Sequence, residues 1–279
     1  MADPRLTKRR LSVWLRGERA FGLESVAVGS GKLQQLQASQ SQGPAPSPPL
    51  APPALFFAGQ EPPTAASGIA PGQPAFTQPV ASRAQKITRL TQMDSEQVKP
   101  CTRCRLSQTR THTVFGEGDP DASIFFIGEG PGENEDLQGR PFVGRAGDLL
   151  NKMIAGMGLQ REQVYIANIV KCRPPGNRCP APDEIDACTP YLVSQLEIIR
   201  PKVIVTLGLP ASRYMLGSKL SMGKMRGQWH EWRGIKLMPT YHPAFLLRAY
   251  TEQNRADVWS DLKKVMAEVG LPIPSRAAK

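Results

Sequence analysis

The sequence predicts an α/β fold, namely a three-layer domain whose mostly parallel central sheet is flanked by helices and preceded by a disordered N-terminal arm. Three observations support this. Four short segments rich in β-branched and aromatic residues lie in the second half of the chain. Helical patterns separate them, as in folds with parallel strands and crossover helices. A stretch rich in Pro, Ala and Gln comes before them all.

The N-terminal part has the composition of a disordered segment. Residues 44–79 are dominated by Pro, Ala, Gln and Gly, and such segments cannot bury enough apolar surface to offset the lost chain entropy. We therefore predict a disordered extension over residues 1–96. Within it, the basic residues 1–28 could form a short helix or an electrostatic arm. ALFF at 54–57 is either a stray apolar cluster or a docking motif for a partner.

The folded domain is predicted at residues 97–271, followed by a tail of residues 272–279. Its expected strands are SIFFIGE at 123–129, VYIANIVKC at 164–172, KVIVTLG at 202–208 and IKLMPTY at 235–241. The first three are nearly continuous apolar runs, which is typical of strands covered on both faces.

Helical patterns lie between the strands. AGDLLNKMIAGMGL places five apolar residues on one face, namely Leu149, Leu150, Met153, Ile154 and Met157. DEIDACTPYLVSQLEIIR begins with carboxylates and ends in Arg200, as a helix dipole favours, and ADVWSDLKKVMAEVG ends at Gly270. In such folds ligands bind beyond the carboxyl ends of the strands, so the segments that follow the strands are the candidate site.

The charge of the chain limits its partners and its location. The formal net charge is +11 and the pI is about 9.7, which favours a polyanionic partner such as nucleic acid. A well-hydrated basic surface is the alternative. The sequence has no apolar run of about 18 residues, so we expect no membrane span. Arg16, Glu18 and Arg19 interrupt the apolar stretch near the start, so we expect a cytoplasmic protein.

The cysteine spacing indicates a metal centre. Cys101 and Cys104 form a C-x-x-C pair, Cys172 ends the second strand and Cys188 lies in the following helix. Four thiolates suit zinc or an iron–sulfur cluster, and the wide gap between Cys172 and Cys188 allows the larger group. A thiol-redox pair with buried structural cysteines is the alternative, although no strand precedes the pair. Cys179 is expected to be a free thiol.

The turn GEGPGENED at 128–136 does not fit a phosphate site. No G-x-x-x-x-G-K-[ST] motif occurs, and the third glycine of G-x-G-x-x-G would fall at Glu133. Gly128, Gly130 and Gly132 still let the backbone approach a ligand closely. The turn therefore suits a neutral ligand with hydrogen-bonding groups, such as a nucleobase. A sharp strand-to-helix connection with surface acids is the alternative.

Three further residues are candidates for the same site. Phe142 lies between Arg140 and Arg145 and suits base stacking, although a core phenylalanine fits equally well. Asn168 interrupts an apolar strand, and a buried amide can read a base edge or hold a loop. His242 follows the last strand and can donate to charge on a leaving base, or serve a structural role.

In unbroken order over residues 97–271, these segments resemble the family 4 (iron–sulfur) uracil-DNA glycosylases of bacteria and archaea. The matching motifs are PCTRCRL, VFGEGDPDA, GEGPGENEDLQGRPFVGRAG, VYIANIVKCRPPGNR, LG, RGQWHEW and YHPAFLLR. The resemblance implies a uracil-DNA glycosylase-like fold and one structural [4Fe–4S] cluster. Its implied ligands are Cys101, Cys104, Cys172 and Cys188.

The resemblance also implies a uracil pocket made of Gly128, Glu129, Gly130, Glu135, Phe142, Asn168 and His242. Glu129 and His242 would be catalytic, and Glu135 would exclude the methyl group of thymine. Glu129, Glu135 and Asn177 remain alternatives for positioning the attacking water. The substrate would be uracil in single- or double-stranded DNA, flipped out of the stack before its N-glycosidic bond is hydrolysed to start base excision repair.

The segment AFLLR would be the DNA insertion loop, with Phe245 or Leu246 as the wedge and Arg248 on phosphate. Related iron–sulfur proteins that trap DNA covalently carry an extra histidine after the second strand, and CRPPGNRCPAP has none. We therefore expect a monofunctional hydrolase. Separately, we expect a monomer whose N-terminal arm is a candidate binding site for a repair or replication partner. The alternatives are an iron–sulfur DNA-binding protein without turnover and a glycosylase for another deaminated base.

Overall fold

The computed structural model describes residue 76 and residues 80–274 of the chain. Its described part contains one six-stranded sheet in the order β1-β3-β2-β4-β6-β5. The strands are β1 (Glu117–Gly118), β2 (Ile124–Gly128), β3 (Tyr165–Asn168), β4 (Val203–Leu207), β5 (His230–Trp232) and β6 (Ile235–Thr240). The predictions for residues 1–28 and for ALFF lie outside the described residues.

The four central strands are parallel, and the two edge strands are antiparallel to their neighbours. The predicted mostly parallel sheet is therefore confirmed. The sequence missed β1 and β5, which are too short to show an alternating pattern. In the register, Gly128 pairs with Asn168 and Leu207 pairs with Thr240. The carboxyl ends of the central strands therefore meet at one edge of the sheet.

Helices cover both faces of this sheet. They are α1 (Arg83–Gln92), α2 (Glu133–Gln138), α3 (Arg145–Gly156), α4 (Pro182–Ile199), α5 (Leu209–Leu216), α6 (Met222–Met225), α7 (Pro243–Arg248) and α8 (Glu252–Val269). The three predicted helices are confirmed as α3, α4 and α8, with Arg200 and Gly270 as left-handed C-terminal caps. None of the described helices is both long and apolar enough to cross a membrane. The cytoplasmic location stays a prediction.

The predicted disordered extension of residues 1–96 is wrong for residues 83–96, which are helical. A capping box between Ser82 and Gln85 starts α1, which packs against α4. Leu90 is buried, and the buried Lys86 donates to the carbonyl of Ile199 over 3.1 Å. Because a lysine occupies a core position on an otherwise polar helix, the amphipathic pattern is nearly invisible in the sequence. The domain therefore begins before residue 97.

The second predicted strand is shorter than its apolar run. β3 ends at Asn168, and residues 169–172 leave the sheet while staying buried. Backbone hydrogen bonds still tie this segment to the turn after β2, from Ile169 to Gly128 and from Val170 to Glu129. The segment consequently runs from the edge of the sheet that carries the polar residues to the region of the cysteines.

Candidate active site and cysteine cavity

A pocket of about 680 Å³ opens at the carboxyl ends of the central strands. The predicted site residues that it brings together are Glu129, Gly130, Glu135, Phe142, Asn168, His242, Phe245 and Arg248. Gly128 lies behind them, because a Cβ atom there would approach Asn168 Oδ1 to 2.3 Å and the Phe142 ring to 2.6 Å. Gly128 therefore permits the close approach of these two side chains.

Asn168 is the polar end of an otherwise apolar strand. The residue is 1% exposed, and its Oδ1 atom has no hydrogen-bond partner in the described part of the chain. A buried polar atom without a partner costs about 1–3 kcal/mol. This amide is therefore prepared for a ligand in the pocket.

The rings of Phe142 and His242 stack with centroids 5.6 Å apart and an interplanar angle of 29°. His242 caps α7, and its Nδ1 atom accepts from the backbone N–H of Ala244 over 3.0 Å. Burial, with a smaller contribution from Arg248, lowers the pKa of His242 to about 4 against the opposing influence of Glu135. The ring is therefore neutral at neutral pH, and its one proton is on Nε2.

Glu135 organises the pocket wall. Its Oε1 atom accepts from the backbone N–H groups of Val143 and Gly144, each over 2.9 Å, and its Oε2 atom accepts from Gly132 over 3.1 Å. The carboxylate thus joins the turn after β2 to the loop that carries Phe142. The sequence indicated an acid at this turn but gave no sign of these three contacts.

Glu129 lies in the same pocket beside Cys179. Its Oε1 atom is buried without a partner among the described residues. Burial raises the pKa of its carboxyl, and a hydrogen bond with the Cys179 thiol acts in the opposite direction. Asn177 also lines the pocket, but its side-chain oxygen accepts from Arg173 over 2.8 Å. Cys179, expected to be a free thiol, is a pocket residue that sequence reasoning missed.

The predicted insertion loop is the short helix α7. Leu246 is only 2% exposed, which argues against this half of the wedge prediction, whereas Leu247 is 44% exposed. The Phe245 ring stacks on Tyr241 with centroids 4.9 Å apart. Arg248 is exposed at the pocket mouth. Helical geometry turns neighbouring side chains apart by about 100°, and the sequence does not show which of two adjacent leucines faces the core.

The four predicted metal ligands line a second cavity, between the segment before β1 and α4. They are Cys101, Cys104, Cys172 and Cys188. Cys172 Sγ accepts from Arg110 over 3.2 Å, and Cys188 Sγ accepts from the backbone N–H of Lys171 over 3.2 Å. Burial raises the pKa of the Cys188 thiol to about 12. A thiolate here therefore needs positive partners.

The cysteine cavity fits a cluster better than a single ion. No three His, Cys, Asp or Glu side chains among the described residues are arranged to hold one metal ion. The four cysteines come from three separate segments of the chain and instead line one small cavity together. An iron–sulfur cluster carries its ligands farther apart than zinc does, and four thiolates with nearby cations match its chemistry.

Comparison with known proteins gives a consistent result. A profile of the uracil DNA glycosylase superfamily matches residues 115–263. A type-4 uracil-DNA glycosylase of Thermotoga maritima is 50% identical over 177 residues, covering 63% of this chain and 92% of the relative. One from Sulfurisphaera tokodaii is 51% identical over 180 residues, covering 61% of this chain and 80% of the relative. A type-5 uracil-DNA glycosylase of Pyrobaculum aerophilum is 31% identical over 145 residues, covering 46% of this chain and 63% of the relative. This chain therefore belongs to the uracil DNA glycosylase superfamily and, within it, to the type-4 uracil-DNA glycosylases.

Proposed function

We propose that this protein is a monofunctional DNA glycosylase that removes uracil from DNA by hydrolysing the N-glycosidic bond of a flipped-out deoxyuridine. The observation that carries the proposal is the Oδ1 atom of Asn168, which is buried without a partner among the described residues and lies in a pocket of about 680 Å³, large enough to admit a nucleobase. Membership of the type-4 family supports the same activity and its place at the start of base excision repair.

Asn168 and Phe142 would recognise the base. The amide of Asn168 can accept a hydrogen bond from N3–H of uracil and donate one to O4, so it matches the Watson–Crick edge of uracil. The ring of Phe142 offers a stacking face. When the wrong base binds, the buried amide is left without a hydrogen-bond partner, and such a site discriminates strongly against that base.

His242 would stabilise the leaving group. Because its Nδ1 atom accepts from Ala244, its Nε2–H is free to donate to uracil O2 as negative charge develops there. A neutral ring is suited to this task, since its one N–H group can stabilise the charge through a hydrogen bond without transferring the proton. The carboxylates of Glu129 and Glu135 lie in the same pocket and favour positive charge on the sugar.

Glu129 is our choice among the three candidates for positioning the attacking water. Both Glu135 oxygens already accept backbone hydrogen bonds, and the side-chain oxygen of Asn177 accepts from Arg173. Glu129 keeps one buried oxygen without a partner among the described residues, and its pKa is raised by burial. A carboxylate with a raised pKa is the better general base near neutral pH.

DNA would bind across the mouth of the pocket. The exposed Arg248 suits a phosphate contact, and the exposed Leu247 replaces Leu246 as the apolar side chain that fills the gap left by the flipped nucleotide. Flipping costs about a few kcal/mol, and the cost is lowest in single strands. The monomeric state and a partner for the N-terminal residues stay predictions.

We also propose one [4Fe–4S] cluster held by Cys101, Cys104, Cys172 and Cys188. The shared cavity and the cations Arg110 and Lys171 at its wall support this assignment. When bound, the cluster would supply a structural cross-link rather than a reactive centre. The cysteines themselves would fasten the segment that follows α1 to the domain that contains the pocket.

The test is strand scission at a single uracil. The protein, shown by its visible absorbance to hold a cluster, is incubated with single-stranded DNA carrying one uracil and then treated with alkali. We expect scission at the uracil and none in a thymine control. Hypoxanthine and xanthine substrates test the alternative base specificity. Absence of scission at every base, with DNA binding retained, would replace the hydrolase by a DNA-binding protein without turnover.

A further inference from the structure

Lys171 is a buried cation between the two cavities. The residue is 1% exposed and immediately precedes the proposed ligand Cys172. Its Nζ atom donates to the backbone carbonyl of Asn168 over 2.9 Å and to Gln195 Oε1 over 2.6 Å. Its backbone N–H donates to Cys188 Sγ over 3.2 Å. One residue thus contacts the base-reading segment and a wall of the cysteine cavity.

The charge of Lys171 is not balanced by an adjacent carboxylate. In the described part of the chain, no Asp or Glu oxygen forms an ion pair with its Nζ atom, and Asp94 acts on it only as a weaker, more distant charge. Gln195 is neutral and is itself held by the carbonyl of Phe115. An unpaired buried cation is costly. The groups that can compensate it are the thiolates of Cys172 and Cys188, whose cavity it lines.

We propose that Lys171 is a positioning residue that balances the negative charge of the thiolate-bound cluster and holds Asn168 in its base-reading position. The cysteine cavity and the base pocket are then one coupled unit. The proposal rests on the proposed function and on the proposed cluster. It goes beyond both, because it assigns a role to a side chain that contacts neither the base nor the metal ligands' sulfur atoms.

The backbone geometry explains why the amine of Lys171 matters for Asn168. Asn168 is the last residue of β3, and the next two residues are held by their N–H groups, which donate to the carbonyls of Gly128 and Glu129. The carbonyl of Asn168 is fixed by Nζ of Lys171, whose own carbonyl accepts from Val114 over 2.7 Å. Without the amine, the carbonyl of Asn168 is left unpaired in the interior. A displacement of about 1 Å at a reacting group can cost about 100-fold in rate.

The experiment compares Lys171→Met, Lys171→Gln and the matched control Lys236→Met. Lys236 is exposed on β6, next to the edge strand β5, and is paired with Glu268 of α8. For Lys171→Met we expect single-turnover excision to fall about 10- to 100-fold, with unchanged affinity for DNA. The cluster reduction potential, measured by voltammetry, should fall, because removal of a positive charge disfavours the added electron. Lys236→Met should match the wild type in all three measurements.

Lys171→Gln separates the two roles, because it removes the charge but keeps a hydrogen-bond donor. We expect the same fall in reduction potential as in Lys171→Met, with excision partly restored. This variant decides the question if Lys171→Met does not fold.

A wild-type reduction potential in Lys171→Gln would overturn the proposal, as would wild-type excision in Lys171→Met or a wild-type protein without a cluster. If the wild type holds a cluster but does not excise uracil, the proposed function fails. The reduction potentials would then still test the charge balance, and retention of the wild-type value would overturn the role of Lys171.

Discussion

The base pocket and the cysteine cavity lie at opposite ends of the same short segment, residues 168–172. They differ in whether their buried polar atoms have hydrogen-bond partners. In the base pocket, Asn168 Oδ1 and Glu129 Oε1 are buried without partners among the described residues. In the cysteine cavity, the sulfur atoms of Cys172 and Cys188 already accept hydrogen bonds. Unsatisfied groups are costly unless a ligand arrives. The base pocket therefore suits a ligand that binds reversibly, and the cysteine cavity suits a permanently bound group.

The largest effect is expected from Cys172→Ser, which removes one of the proposed cluster ligands from the cysteine cavity. Loss of this thiolate leaves Arg110 and Lys171 beside a cavity that has lost negative charge. An uncompensated buried charge costs about 3–5 kcal/mol. We expect loss of the visible absorbance, a large fall in thermal stability and loss of uracil excision. A brown, stable Cys172→Ser protein would show that the thiol of Cys172 is not required to hold the cluster.

Asn168→Ala should impair base recognition in the pocket and leave the cysteine cavity unchanged. Because it removes the amide that reads the base, we expect excision to fall about 100- to 1,000-fold, or about 3–4 kcal/mol of transition-state stabilisation. Single-turnover kinetics on uracil DNA measure the rate, and fluorescence anisotropy measures DNA binding, which should be retained. The visible spectrum is the control and should equal that of the wild type. Excision close to the wild-type rate would remove Asn168 from base recognition.

The pH dependence of stability probes His242 in the pocket. The folded protein keeps this ring neutral down to a pKa of about 4, whereas an ordinary histidine takes up its proton near 6.5. The unfolded chain therefore binds more protons between these values, and stability falls as the pH drops from 6.5 to 4. The contribution is at most about 3.5 kcal/mol, since one pKa unit corresponds to about 1.4 kcal/mol.

The measurement is denaturant unfolding of the wild type and of His242→Asn across this pH range. Asparagine is a good N-terminal cap for α7, so the variant should fold. We expect the wild type to lose stability relative to His242→Asn as the pH falls through this window. A difference that stays constant with pH would mean that His242 is not held neutral in the folded protein.

Glu135→Gln should loosen the pocket wall with a smaller effect. An amide has only one acceptor oxygen, so it cannot serve the N–H groups of Gly132, Val143 and Gly144 together. Hydrogen bonds to a charged group contribute about 1.5–3 kcal/mol, so we expect an excision rate lower by about 10- to 100-fold. The rate at which the same variant excises thymine from DNA tests the predicted exclusion of the C5 methyl group. An unchanged uracil rate would contradict the positioning role.

The pattern of residues predicts the parallel core of the sheet and the three longest helices well, because apolar runs and helical periodicity are local signals. It also predicts that Asn168 is a buried polar residue at the end of a strand, which the structure confirms, whereas its role in base recognition stays a proposal. The edge strands β1 and β5 have two and three residues and leave no such signal. Helix α1 was not predicted because Lys86 occupies a buried position, which depends on contacts with Asp121 and Ile199 that are distant in sequence.

The contacts that shape the pocket could not be predicted because loop geometry makes them. Phe142 has a φ of 51°, and Gly176 and Asn177 have φ values of 63° and 56°. Residues other than glycine rarely adopt this left-handed region. The three hydrogen bonds of Glu135 and the position of Cys179 beside Glu129 both depend on such loops. The fifth cysteine was therefore assigned no role from sequence.

Cys179→Ser gives the smallest expected effect and the sharpest separation of the two regions. Cys179 lines the base pocket and not the cysteine cavity. A serine keeps a donor for the Glu129 carboxylate, so we expect excision within about three-fold of the wild type, which corresponds to about 0.6 kcal/mol. Cys179→Ala removes that donor and should reduce the rate further, with the pH optimum moving upward as the carboxyl group of Glu129 loses the hydrogen bond that opposes its raised pKa. Visible absorbance is the control, because both variants should hold the cluster fully. Loss of colour in Cys179→Ser would show that the fifth thiol is a ligand of the cluster. The base pocket and the cysteine cavity would then share a residue, and the separate predictions for Asn168 and Cys172 would no longer follow.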